Sequence, residues 1–275
     1  MFPAVTVCLV PEAAAGPFVF HGDLESSCAR AAAAGFPAIE LFPPSAEALD
    51  AREVRQVLRR HGLRPAAGGT GAGWVTRRLS LTDPDADQRA RARRFVESLV
   101  DFAGAFGAPA IIGSMQGKAG DGGGPEQARG WLAQILEQLG PRAHALGVPL
   151  LLEPLNRYEG NLFNTLAETA ACLAPLRTRN VRLLADTFHL NLEEASIPAA
   201  LRVAGPLIGH VHLADSNRHA AGFGHTDFAS IAAALRDIGY AGAVSAEVLP
   251  RPDPEAAARQ ARRAFGELFG EPAAG

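Results

Sequence analysis

Short apolar runs alternate along the chain with longer stretches whose apolar residues recur every three or four positions. The runs read as strands: VTVCLV (5–10), AIELF (38–42), RPAAGG (64–69), APAIIGSM (108–115), PLLLEPL (149–155), VRLLADTF (181–188), IGHVHLAD (208–215) and AVSAEVLP (243–250). Several are continuously apolar, as strands covered on both faces are. Helical spacing falls between them. DLESSCARAAAAG carries an Asp23 N-cap and a Gly35 stop, and residues 85–106 place Phe95, Leu99 and Phe102 on one face. Further helices are predicted over 125–146, 166–176, 228–238 and 255–269. AAGFPAIEL, AFGAPAII, ALGVPLLL and DIGYAGAVS each join a glycine C-cap to the next strand.

Eight strands with a helix after most of them, in 275 residues, fit an α/β fold of one kind: a single (β/α)8 TIM barrel spanning residues 1–275 as one domain. A doubly wound open sheet would carry a glycine-rich nucleotide turn after its first strand, and LVPEAAAG is not one. GGTGAGW (68–74) and GKAGDGGGP (117–125) lack the G-K-[S/T] ending of a phosphate loop, and the second reads as a mobile polar connection.

Composition narrows the function classes. The chain is 48% hydrophobic and 20% charged with a net charge of −3, which gives no electrostatic reason to expect nucleic acid. Cys8, Cys28 and Cys172 are scattered and odd in number, which predicts a reducing, cytoplasmic setting without a disulfide framework. The apolar N-terminus lacks a basic segment and reads as a first strand, not a signal peptide. No apolar run approaches the roughly 18 residues of a membrane helix.

In a barrel the active site lies at the C-terminal ends of the strands. The last four candidate strands each bring a metal-competent side chain there: Glu153, Asp186, His212 and Glu247. A buried unpaired carboxylate is costly, so one alone would be a satisfied core acid as readily as a functional one. Four such residues on successive strands form an O₃N donor set suited to Mn²⁺, Mg²⁺, Co²⁺ or Zn²⁺. Glu159, His189 and Arg218 follow a few residues later, on loops that would overhang the metal and hold the hydroxyls of a sugar. His210 alternates with His212, so a strand points both to one side. His212 is the expected ligand, and His210, one pleat lower, the expected hydrogen-bonding support beneath it.

A divalent ion bridging a carbonyl and an adjacent hydroxyl acidifies the C–H between them by stabilising the enediolate. Two carboxylates on opposite faces of that carbon, Glu153 and Glu247, can remove a proton from one side and return one to the other, which is epimerisation. One base shuttling a proton between two carbons gives aldose–ketose isomerisation instead, the alternative reading, on a sugar or an inosose.

EPLNRYEGNLFNT, ADTFHLNLEE, HVHLADSNRHAAGFGHTDF and SAEVLP resemble the xylose-isomerase-like sugar isomerase and epimerase superfamily, in its ketose 3-epimerase branch. Within that branch FHGDL, GTGAGW, LSLTDPD and IIGSMQGK are similar to the 5-keto-L-gluconate epimerase type. The resemblance covers essentially the whole chain. It implies a metal-dependent barrel with Glu153, Asp186, His212 and Glu247 as ligands and Glu153 and Glu247 also as the acid/base pair. Glu159, His189 and Arg218 match positions that contact the carbonyl end of the substrate. It further implies Mn²⁺ first, with Co²⁺ or Mg²⁺ as substitutes, a small sugar or sugar acid as substrate, and a homodimer or homotetramer. The aromatic residues that shape many free-ketose pockets are not evident in LVPEAAAGPFVFHGD, so the substrate does not carry over. Gln116 and Lys118 are open candidates for a substrate carboxylate or phosphate. A DNA-repair endonuclease on the same barrel would need more clustered His and Asp ligands and a basic surface, and His21, His61, His144, His219 and His225 do not fall together at strand ends. A metal-free binding barrel runs against the complete ligand set.

Overall fold

The computed structural model describes residues 1–120 and 124–270. Eight parallel strands run β1 (Phe2–Cys8), β2 (Ala38–Phe42), β3 (Arg64–Gly69), β4 (Ala110–Ile112), β5 (Leu150–Leu152), β6 (Val181–Asp186), β7 (Ile208–His212) and β8 (Ala243–Ala246). Each pairs with the next, and β8 pairs back onto β1 through Phe2↔Ala243 to Val5↔Ala246, closing a (β/α)8 barrel. A two-residue strand, Phe20–His21, lies beside the end of β1.

Alternation along each strand divides the core in two. Leu150, Leu152, Leu183, Ala185, Val211 and Val244 face outward into the large cluster shared with the helices. Inside the barrel, Ala4, Ala38, Ala66 and Ala243 form a layer of small residues, and Ala67, Ile111, Leu151 and Leu184 form a second. Glu40, Glu153, Asp186, His210, His212 and Glu247 share the inward parity, which leads the barrel axis from an apolar floor to a polar mouth. Register sets their depth: Asp186 stands opposite His212, and His212 opposite Ser245.

Ten helices are described: α1 (Leu24–Ala33), α2 (Ala51–Arg60), α3 (Ala72–Arg77), α4 (Ala86–Ala105), α5 (Pro125–Ala145), α6 (Leu166–Leu173), α7 (Thr187–Glu193), α8 (Ile197–Ala204), α9 (Phe228–Asp237) and α10 (Pro254–Phe269). The expected Asp23 cap holds, accepting from the Ser26 N–H.

Five strands end earlier than their apolar runs, β5 stopping at Leu152. Asp186 closes β6 by capping α7 through the Phe188 N–H, so Thr187 and Phe188 are helical rather than extended. The run at 108–115 bends after Ile112 into a 3-10 turn, Ser114–Gln116. β7 and β8 stop at His212 and Ala246, and the loop residues Asp215 and Arg218 take over. β1 is shifted instead, starting at Phe2 and ending at Cys8. The short helices α2, α3, α7 and α8 were not in the expected pattern. Of the connection expected over 117–125, Asp121, Gly122 and Gly123 lie outside the described residues, as do 271–275. No helix among the described residues is long and apolar enough to cross a membrane.

Candidate active site

The mouth of the barrel opens into a cavity of about 530 Å³. Glu153, Glu159, His189, His212, Arg218 and Glu247 line it, together with Glu40 and Lys118. Asp186 lies fully buried beneath, against His212 and Arg218.

Four side chains converge on one point. His212 Nδ1 lies 3.3 Å from Asp186 Oδ2, 3.3 Å from Glu247 Oε2 and 3.6 Å from Glu153 Oε1. One donor atom from each of the four falls within 4.8 Å of the others, a spacing that could hold a metal ion. Glu153 Oε1 is buried and makes no hydrogen bond. A buried carboxylate oxygen without a donor is expensive, so this atom calls for a cation and the O₃N set fits a divalent one. On the other edge of the ring, His212 Nε2 lies 3.1 Å from both oxygens of Glu40, and His210 Nε2 lies 2.8 Å from Glu40 Oε2.

The site is rich in acid: Glu40, Glu153, Asp186 and Glu247 all lie within 4 Å of His212. Burial pushes the Glu153 carboxyl up, against the opposing pull of His212. Burial acts on Asp186 too, but Arg218, His189 and His212 outweigh it and hold that carboxyl well below the usual range. Burial would discharge His212, yet Glu40 and Glu247 overcome it and raise the ring well above its ordinary value. His210, by contrast, is lowered by burial in spite of Glu40. Arg218 supplies the compensating cation: Nη1 lies 2.7 Å from Asp186 Oδ2, Nη2 pairs with Glu247, and the guanidinium covers the Phe188 ring at 4.8 Å.

The loop that carries Arg218 is built for that reach. Arg218 has φ +62°, a left-handed conformation that a non-glycine residue adopts only when its surroundings hold it. Its N–H donates to the Asp215 carbonyl and its own carbonyl accepts from Leu249. Asp215 is itself locked by the backbone N–H groups of Ser216, Gly222, Gly224 and Thr226.

The remaining expected residues are also here. His189 sits on α7 with Nε2 3.8 Å from Glu153 Oε1 and 3.9 Å from Asp186 Oδ2. Its Nδ1 accepts from the Asn156 backbone N–H, which leaves Nε2 as the protonated nitrogen of the neutral ring, on the pocket side. Glu159 is half-exposed at the rim and accepts from the Asn156 side chain at 2.8 Å. His210 lies one pleat below His212, with Nε2 2.8 Å from Glu40 Oε2. Gln116 is buried, and its amide donates to the carbonyls of Gly113 and Glu153, bracing the end of β5. Lys118 lines the pocket mouth. His21, His61, His144, His219 and His225 join no metal-competent cluster among the described residues.

Two residues that shape the site were not among those expected from the sequence: Glu40 and Asn156. The lone acid inside AIELF was the available signal for Glu40, because a strand buried on both faces has no other use for a charge.

A family described as the xylose isomerase-like TIM barrel matches residues 28–268. The chain belongs to this family. Among curated members it is 30% identical over 236 residues to L-ribulose 3-epimerase of Methylomonas sp. (strain DH-1), covering 83% of this chain and 81% of that one. It is 36% identical over 179 residues to D-psicose 3-epimerase of Agrobacterium fabrum (strain C58 / ATCC 33970), covering 61% of this chain and 60% of that protein's length. A solved L-ribulose 3-epimerase structure superposes with a TM-score of 0.82 at 26% identity, over 98% of this chain and 94% of its own. These relatives are isomerase-class enzymes, in keeping with the isomerase expected from the sequence, and the xylose isomerase-like barrel is the fold they share with it.

Proposed function

We propose that this family member is a metal-dependent sugar epimerase that inverts the carbon next to the carbonyl of a ketose or keto-sugar acid, 5-keto-L-gluconate among its candidate substrates. The observation that carries the reading is the placement of Glu153 and Glu247. They enter the pocket from the ends of β5 and β8, two strands that are not neighbours in the barrel, and come within 3.6 and 3.3 Å of His212 Nδ1. The names of the 3-epimerase relatives support the same chemistry.

Glu153, Asp186, His212 and Glu247 are the residues proposed to hold the ion, with Mn²⁺ first and Co²⁺, Mg²⁺ and Zn²⁺ compatible with the donor set. A divalent ion there supplies positive charge that stabilises the oxyanion of an enediolate. The protein's residues do the rest. One of the two glutamates takes the proton from the carbon on one face, and the other returns a proton from the opposite face. Arg218 and His189 Nε2–H donate to the oxygens at the carbonyl end, and Glu159 accepts from a neighbouring hydroxyl. The resemblance to the 3-epimerase branch supports a single-domain homodimer or homotetramer, and the three unpaired cysteines support a cytoplasmic setting.

A panel of ketoses, keto-sugar acids and their phosphates, assayed after chelation and again with Mn²⁺ restored, tests this reading. Mn²⁺-dependent epimerisation of at least one member is expected. A product whose ketone has moved to another carbon would assign the protein to the aldose–ketose isomerases, and full activity after chelation would remove the metal from the account.

A further inference from the structure

The two histidines of β7 meet one acid on β2. Glu40, His210 and His212 are 4%, 1% and 1% exposed, and no solvent competes for their hydrogen bonds. One carboxylate meets both rings: His210 Nε2 lies 2.8 Å from Glu40 Oε2, and His212 Nε2 lies 3.1 Å from each Glu40 oxygen. A carboxylate oxygen accepts hydrogen bonds, so this contact has both rings donating from Nε2. The neutral form of His212 then keeps its lone pair on Nδ1, the atom that faces Asp186, Glu153 and Glu247 at 3.3–3.6 Å.

We propose that Glu40 is a positioning residue that fixes the tautomer and the ring orientation of His212, so that Nδ1 is the nitrogen offered to a divalent cation. His210 is the second anchor: its donation to Glu40 Oε2 keeps the carboxylate from turning away from His212. The imidazole rings stand nearly perpendicular, at 86° with centroids 5.3 Å apart, and both reach one carboxylate. The inference rests on the metal-site reading above and adds to it a residue on the opposite side of the barrel from the ligands' own strands. Carboxylates that support a ligating histidine in this way change metal affinity by about 10–100-fold when removed.

The test uses the full chain, stripped of metal and titrated with Mn²⁺ while the free ion is followed by electron paramagnetic resonance. The wild type is expected to take up one ion, and Glu40→Gln to bind it about tenfold or more weakly, because an amide offers one acceptor oxygen to two donor rings. Binding by Glu40→Gln within about twofold of wild type overturns the inference. Uptake of a second ion that Glu40→Gln abolishes also overturns it, by making Glu40, His210 and His212 a ligand set of their own. A wild-type chain that takes up no ion overturns the metal-site reading itself, which separates the two failures. Nitrogen-15 histidine spectra of the Mg²⁺- or Zn²⁺-loaded wild type need no variant. They should show the His212 proton on Nε2 and a metal-induced shift on Nδ1, and the reverse pattern would overturn the inference even if Glu40→Gln failed to fold.

Discussion

Arg218 Nη1 lies 2.7 Å from Asp186 Oδ2, and neither residue has meaningful access to water. The pair joins the β7 loop to the end of β6 and sets a guanidinium where the carbonyl end of a substrate would lie. Removing one partner of a buried pair strands the other, at a penalty of about 3–5 kcal/mol. Arg218→Ala is therefore expected to lower the melting temperature of the metal-free protein and to recover part of it with Mn²⁺, which restores positive charge beside Asp186. Its kcat/KM should fall about 10²-fold or more. Arg218→Lys should recover little, since an ammonium cannot span Asp186 and Glu247 as a planar fork does. Thermal melts with and without Mn²⁺, alongside steady-state kinetics, check both parts.

Gly113 approaches Glu153 closely. A Cβ placed on it would come within 2.5 Å of Glu153 Oε2, and Glu153 Cδ is the next atom near it at 3.7 Å. Gly113→Ala should displace the carboxylate end and leave the strands alone. Expected is a loss of activity of about tenfold or more with a melting temperature within a few degrees of wild type, since misplaced reacting groups weigh heavily on rate. Equal activity in the variant would show that Glu153 has freedom the geometry does not grant it.

Glu153→Gln and Glu247→Gln keep shape and remove the exchangeable proton. Each should abolish turnover, by about 10⁴-fold or more, in a folded protein, because general acid–base catalysis of each face depends on one carboxylate. Near-normal activity in either variant, measured on any substrate the wild type epimerises, would break the assignment of the pair.

Asp215 gives a pH-dependent expectation for stability. Burial pushes its carboxyl up, but the N–H groups of Thr226, Ser216, Gly224 and Gly222 outweigh this and hold it below the usual carboxylate range. A carboxyl lowered in the folded state contributes stability that is complete above its unfolded value, about 3.9, and is lost as pH falls through the folded one. Asp215→Ala should therefore be less stable than wild type at pH 7 by about 1.5–3 kcal/mol, with the difference shrinking below about pH 4. Denaturant unfolding of both proteins across that range reads the difference directly.

Much of this site was legible along the chain because barrel strands announce themselves. Glu153, Asp186, His212 and Glu247 each follow an apolar run, and parity with Leu151, Leu184 and Ala243 is enough to turn them inward. Glu40 was not legible in the same way. It interrupts its run in the middle, and only the closed barrel brings β2 across from β7. The end of β6 was overextended for a related reason: Thr187 and Phe188 continue an apolar pattern, and the helix that takes them begins with a cap supplied by Asp186 itself. Helix α2 hid behind its charges, since only Val54, Val57 and Leu58 of its ten residues are buried.

The central claim is that protons are exchanged at the carbon beside a carbonyl that stays where it is. Turnover of an accepted ketose or keto-sugar acid in deuterium oxide, with Mn²⁺ present and the products resolved by proton and carbon NMR, measures this directly. The account predicts solvent deuterium at that one carbon in both epimers, with the ketone retained and no exchange in Glu153→Gln or Glu247→Gln. Inversion without deuterium at that carbon, or deuterium at a carbon to which the ketone has not remained adjacent, would contradict it.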